Sequence, residues 1–163
     1  MFRKIITFLL LCAMMCLPGC CREDASEAYA EKTEQENDGK GDETEMDKLI
    51  MKIDGETVAV EWEDNESIAY LYGLCHEAEL EIHTSRYGGF EQVGPIGLEV
   101  PEDDHQLTTS PGDIVLYSGN QMVLFFGSNS WSYTRLGKIT GLTDEEIAAL
   151  LDKEGVTLEL VRE

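Results

Sequence analysis

The segment Pro111-Gly112-Asp113-Ile114-Val115-Leu116-Tyr117-Ser118-Gly119-Asn120-Gln121-Met122-Val123-Leu124-Phe125-Phe126 holds two apolar runs, each behind a turn signal. Pro111-Gly112 precedes Ile114 to Tyr117, and Ser118-Gly119-Asn120 precedes Met122 to Phe126. Short β-branched and aromatic runs fenced by turn formers predict a β-hairpin. Neither run alternates with polar residues, so both strands are expected to be buried on both faces or close to it.

The flanking sequence continues in the same style. Upstream, Leu49, Met51 and Ile53 alternate with polar positions, Asp54-Gly55 supplies a two-residue turn, and Val58, Val60 and Trp62 alternate in their turn. This predicts another hairpin, half buried. Asn65 can cap a helix that carries Ile68, Leu71, Tyr72 and Cys75 at helical spacing. Period two returns at Leu80 and Ile82. The glycine-dense stretch Tyr87 to Gly97 reads as a succession of turns. It lacks Gly-x-Gly-x-x-Gly spacing and a surrounding βαβ pattern, which argues against a nucleotide loop. Downstream, Gly127 to Ser130 opens a loop expected to carry Trp131 and Tyr133, and Leu136 to Ile139 resumes a short strand. Thr143 and Glu146 form a capping box for a helix with Ile147, Leu150 and Leu151; Gly155 stops it, and Val156, Leu158 and Leu160 form a last strand. Seven or eight short strands, two helices and Gly-rich turns favour a mainly β barrel over an α/β sheet.

The chain has 163 residues, with 12 Lys+Arg against 33 Asp+Glu and a net charge of −21. Such a balance argues against a nucleic-acid partner, because phosphates must be neutralised by Lys and Arg. At the N-terminus, Arg3 and Lys4 precede the apolar stretch Ile5 to Leu17, too short to span a membrane but suited to a secretory signal. It ends in Leu17-Pro18-Gly19-Cys20, which resembles the bacterial lipobox. That resemblance implies a signal peptide over residues 1–19, lipid on Cys20, and a chain anchored in the cell membrane on its extracytoplasmic face. Residues 20–48 then form an acidic tether. From 22 to 48 there are eleven acids, four bases and no Leu, Ile, Val, Phe or Trp, so the segment is expected to stay disordered and to act as a spacer. Residues 49–163 are the folded domain, with six bases and 22 acids.

Catalytic signals are sparse. There is no Gly-x-Ser-x-Gly, and Cys75 lies in an apolar helical pattern, as a small core residue does. His76, His83 and His105 share no metal-ligand spacing, so no metal site is expected. Two segments combine large side chains with rare positive charges. Ser85 to Gln92 contains Arg86, Tyr87 and Phe90; Phe125 to Ile139 contains Phe126, Trp131, Tyr133, Arg135 and Lys138. Three of the domain's six bases lie here, either paired with neighbouring acids or assigned to a ligand. Trp131 and Tyr133 belong either to a core or to a shallow apolar groove.

Tyr87-Gly88-Gly89-Phe90-Glu91-Gln92-Val93-Gly94, Pro111-Gly112-Asp113-Ile114-Val115-Leu116-Tyr117-Ser118-Gly119-Asn120-Gln121 and Gly127 to Ile139 together resemble the cyclophilin-like domains of bacterial proteins. The resemblance covers roughly Leu49 to Leu160. It implies a closed eight-stranded β-barrel with a helix at each end and no cofactor. It also implies a groove with Arg86 in the catalytic position and Phe90, Gln92, Phe126, Trp131 and Tyr133 as its lining. Cyclophilins are peptidyl-prolyl isomerases, in which an arginine beside an apolar groove favours the twisted amide. The spacings between Arg86, Phe90 and Gln92 are shorter than in cyclophilins, and no histidine follows Trp131. Three functions are therefore expected, in order: recognition of a peptide or small molecule, prolyl isomerisation outside the cytoplasm, and a structural role in the envelope.

Overall fold

The computed structural model describes residues 48–163. The signal peptide, Cys20 and the tether up to residue 47 lie outside the described residues.

β1 (Leu49–Ile53) buries Leu49, Met51 and Ile53 by simple alternation. It turns at Asp54-Gly55, both at positive φ (52° and 83°), the backbone that a tight hairpin needs. β2 (Glu56–Val58) and β3 (Val60–Trp62) follow, interrupted only at Ala59. α1 (Glu66–Leu74) begins where the Asn65 side chain accepts the Ile68 N–H at 3.0 Å. β4 (Leu80–His83) runs into β5 (Ser85–Tyr87) through Thr84. β6 (Glu91–Pro95), β7 (His105–Thr108), β8 (Asp113–Tyr117), β9 (Gln121–Phe125) and β10 (Ser130–Ile139) come next. α2 (Asp144–Leu151) starts at the Thr143–Glu146 capping box, and β11 (Thr157–Arg162) is the last strand.

All pairings are antiparallel. One sheet has the order β2-β1-β11-β4. The other, of seven strands, runs β3-β10-β8-β9-β6-β5, with β7 paired to the first part of β10. Met51, Ile53, Ile82, Leu158 and Leu160 of the small sheet pack in one core with Ile114, Leu116, Met122, Leu124 and Leu136 of the large one. Leu71 of α1 and Ile147 and Leu151 of α2 join the same core.

The expected closed eight-stranded barrel is not what forms: the eleven strands of the described residues make two open sheets. The reason lies in two strands that change partners midway. Residues 56–62 pair with β1 before Ala59 and with β10 after it; residues 80–87 pair with β11 before Thr84 and with β6 after it. Each is an edge strand of both sheets.

Three local expectations are also corrected. Tyr87 to Gly97 is a hairpin, not a succession of turns. Gly88 and Gly89 (φ 60° and 77°) make its reversal, while Gly94 sits inside β6 because β4 passes close by. Trp131 and Tyr133 lie on a strand, not a loop. β10 is ten residues long and divides its pairing between β7 and β8, with an irregularity between Arg135 and Gly137. β7 was not anticipated at all, since His105-Gln106-Leu107-Thr108 has one half-buried apolar residue.

A Cβ on Gly94 would stand 2.7 Å from Ile82 Cγ2 and 2.8 Å from the His83 carbonyl oxygen. The second is backbone and cannot rotate away. Gly94→Ala should therefore lower unfolding stability by roughly 1–3 kcal/mol in urea titrations, the usual range for overpacking; an unchanged midpoint would show that β4 has room to move.

Candidate functional site

Successive residues of a strand face opposite sides of a sheet. In the large sheet Ile114, Leu116, Met122 and Leu124 face the core, so Val115, Tyr117, Gln121, Val123 and Phe125 face the other way. That second face carries its own apolar cluster: Val115, Val123, Phe125 and Tyr133 are buried there, with Phe90, Val93 and Leu107 packed against them. Phe90 stacks on Phe125 with centroids 6.4 Å apart. Tyr133 meets Phe125 and Tyr117 edge to face, at 5.7 and 5.9 Å.

Above this cluster is a hollow of ≈ 420 Å³. Its walls are Tyr87, Tyr117, Trp131 and Tyr133, its apolar floor is Val93 and Val123, and its polar groups are Glu91, Gln121 and Asn129. Tyr87, Trp131 and Tyr117 are 68%, 57% and 40% exposed, three of the five exposed large apolar side chains among the described residues. The register explains the gathering: Tyr87 pairs with Glu91, Val93 with Val123, Val123 with Val115, and Tyr117 with Gln121. Asn129 Nδ2 donates to the Tyr133 hydroxyl oxygen at 2.9 Å, which fixes that ring.

Glu91 is the unusual member. It is 6% exposed, and its Oε2 has no hydrogen-bond partner. Burial alone pushes its carboxyl up to about 7. An unpaired buried carboxyl opposes folding and is out of place in a purely structural sheet. No lysine, arginine or histidine lines the hollow.

The residues singled out from sequence separate into distinct places. Trp131 and Tyr133 line the hollow, and Phe90 lies in the apolar cluster beneath it. Phe126 packs against the main core. Gln92 is fully buried and donates to the carbonyls of Leu151 (2.7 Å) and Lys153 (2.9 Å). Arg86 is absent from the lining, and its guanidinium is taken by Asp152, just beyond α2. Arg135 and Lys138 both bind the buried Asp113, each at 3.1 Å. Burial pushes the Asp113 carboxyl up, but the Ser110 N–H, Lys138 and Arg135 outweigh it and hold the group below the usual carboxylate range. Among the described residues, no group of three or more His, Cys, Asp or Glu is placed to hold a metal ion.

Among the site residues, Glu91, Tyr117, Gln121 and Asn129 are not picked out from sequence, and Tyr87 is noted there only as a large side chain of the segment 85–92. Glu91 was one acid among 22, and only recognition of the Gly88-Gly89 reversal would have set it opposite Tyr87.

A model of the family described as cyclophilin-like matches residues 51–161. The structure is also similar to the solution structure of the hypothetical protein AF2241 from Archaeoglobus fulgidus. The two share 15% identity and a TM-score of 0.50, over 71% of this chain and 93% of that one, a likeness of fold alone. No match was found among curated proteins.

The burial of Glu91 has a measurable cost. Its carboxyl titrates near 4.5 unfolded and about 7 folded, so between these values the folded state holds a proton that the unfolded state has lost. The contribution is fully present below about 4.5 and is lost as pH rises through about 7. Glu91→Gln should remove that loss and raise stability at pH 8 by roughly 1–3 kcal/mol. Urea titrations of both proteins from pH 5 to 8 check this, and parallel pH curves would refute it.

Proposed function

This chain belongs to the cyclophilin-like family, and from that premise we propose that its domain is a binding module. It takes a small molecule or a peptide side chain in the aromatic hollow on the outer face of the large sheet. The observation that carries this reading is the placement of Tyr87, Tyr117 and Trp131. All three are held partly in water around a floor that is already packed from beneath. Exposed aromatics gathered about a concave apolar surface with a few convergent polar groups are the usual form of a ligand site.

Prolyl isomerisation, the enzymatic alternative, draws no support from Arg86, whose guanidinium is bound by Asp152 and does not reach the lining. A structural envelope role would not account for the open hollow. For the whole chain we propose an exported lipoprotein, held at the cell membrane by lipid on Cys20, with residues 20–48 as spacer. The support for this is the basic start, the short apolar stretch and Leu17-Pro18-Gly19-Cys20.

The two tryptophans allow a direct test. The Trp62 indole donates to the Leu49 carbonyl at 2.7 Å, whereas Trp131 stands at the hollow. In titrations of the full chain with a panel of neutral and charged small fragments and X–Pro peptides, the Trp131 indole resonance should shift and that of Trp62 should not. Trp131→Ala should abolish binding while changing stability by less than ~1 kcal/mol, as expected for a largely exposed side chain. A panel that moves neither indole defeats the reading. For the anchor, Cys20→Ala should release the protein from the membrane fraction; unchanged fractionation would rule out lipid on Cys20.

A further inference from the structure

Resting on the binding reading, we propose that the hollow accepts an organic ammonium group, a protonated amine or a quaternary ammonium. Glu91 is its counter-ion and Tyr87, Tyr117, Trp131 and Tyr133 form its cage. Four observations carry this inference.

The first is the unpartnered Oε2 of Glu91, buried at the edge of a ligand-sized space. A buried carboxylate is stable only when paired, and the protein supplies no partner. The second is the commitment of the domain's cations elsewhere. Lys52 lies by Glu159, Arg86 by Asp152, Arg135 and Lys138 by Asp113, Lys153 by Asp54, and Arg162 over the Tyr72 ring. The positive charge that Glu91 lacks has to come with the ligand.

The third is the chemistry of the walls. Aromatic faces carry negative potential, which attracts cations and disfavours anions. Tyr117 and Tyr133 stand at 67° to one another, so they present two differently oriented walls to the same space. Such walls suit an alkylated ammonium, whose charge is spread over an apolar surface. A bare metal ion would need several oxygen ligands, and among the described residues no group of three or more His, Cys, Asp or Glu is placed to hold one. The fourth is the field of the domain. With 22 acids against six bases, it draws cations toward its surface and repels anions.

The competing use of a buried carboxyl that titrates at about 7 is as a neutral acid donating to a ligand carbonyl. The two uses depend on pH in opposite directions. An ammonium ligand needs the ionised form and binds better as pH rises; a carbonyl ligand needs the protonated form and binds better as pH falls. The other titratable groups lining the hollow are the phenols of Tyr87 on β5, Tyr117 on β8 and Tyr133 on β10; His105 of β7, opposite Tyr133, lies outside the lining with its Nε2 3.1 Å from Asp103 Oδ2. Burial pushes the Tyr133 phenol further up. Loss of the pH dependence in Glu91→Gln is what assigns a transition near neutrality to Glu91.

The experiment titrates the full chain, by the Trp131 indole resonance, with choline and with its neutral isostere, in which a tert-butyl group replaces the trimethylammonium. Choline should bind at least ~10-fold more tightly than the isostere at pH 8. It should weaken roughly tenfold at pH 6, following the ionised fraction of Glu91. Glu91→Gln should bind the two probes alike, with no pH dependence. A parallel titration with a blocked lysine amide separates a peptide ammonium from a free small one, according to which binds more tightly. Equal binding of choline and isostere, or binding that strengthens toward pH 6, overturns the ammonium proposal and leaves the hollow a site for neutral ligands. Silence of Trp131 toward both probes overturns the proposal as well. If the wider fragment panel is also silent, the binding reading falls with it.

Discussion

The turn of the chain at Thr84 governs the architecture, and a buried polar knot holds it. Thr84 Oγ1 lies 2.9 Å from both Gln92 Oε1 and the Val156 carbonyl oxygen, and it accepts the Val156 N–H at 3.2 Å. Gln92 Nε2 reaches the carbonyls of Leu151 and Lys153. These contacts tie β6 and the chain after α2 to the point where the strand leaves one sheet for the other. Gly155 lets the pieces close up, since a Cβ there would stand 2.5 Å from the Thr84 carbonyl oxygen. Fully satisfied buried polar groups specify a unique arrangement more strongly than apolar contacts do. Gln92 is held inward by this knot, and its neighbour Glu91 must then face outward. The corner of the fold thus sets the side of the sheet on which the unpaired carboxyl stands.

Glu91 and Asp113 show two fates of a buried acid in the same sheet. Asp113 has a backbone N–H and two cations around it and adds to stability as an ion. Glu91 has only burial and detracts from stability as an ion. Strain of this kind persists where something other than folding selects the residue. Arg86, Arg135 and Lys138 are open to two readings from sequence, pairing with neighbouring acids or contact with a ligand; in the structure each is the partner of a particular acid.

Much of the fold was legible. The hairpins at Asp54-Gly55 and Ser118-Gly119-Asn120 follow from turn chemistry and period, and both helices follow from their caps, Asn65 and Thr143. These signals are local. The two corners are not, because Ala59 and Thr84 carry no breaker that would announce a change of partner; the closed barrel was expected from the run of short strands and from the family resemblance, neither of which reports such corners. Trp131 and Tyr133 stood out as large residues among small polar ones. Glu91 did not, because an acid becomes exceptional only when the residues above it and across from it are known, and Tyr87, Tyr117 and Phe125 come from three different strands.

β1 pairs with β11 along its whole length, from Leu49 opposite Arg162 to Ile53 opposite Leu158, and Lys48 and Glu163 exchange backbone hydrogen bonds. During synthesis the first strand must therefore wait for the last. Until β11 emerges, Met51 and Ile53 have no sheet to close over them, and the hairpin that carries them is marginal alone. Pairings so distant in sequence place the domain among slow folders, with strand edges open for the duration. The excess of acids acts in that interval as well as in the finished protein: like charges on every copy keep unfinished chains apart while the edges are exposed.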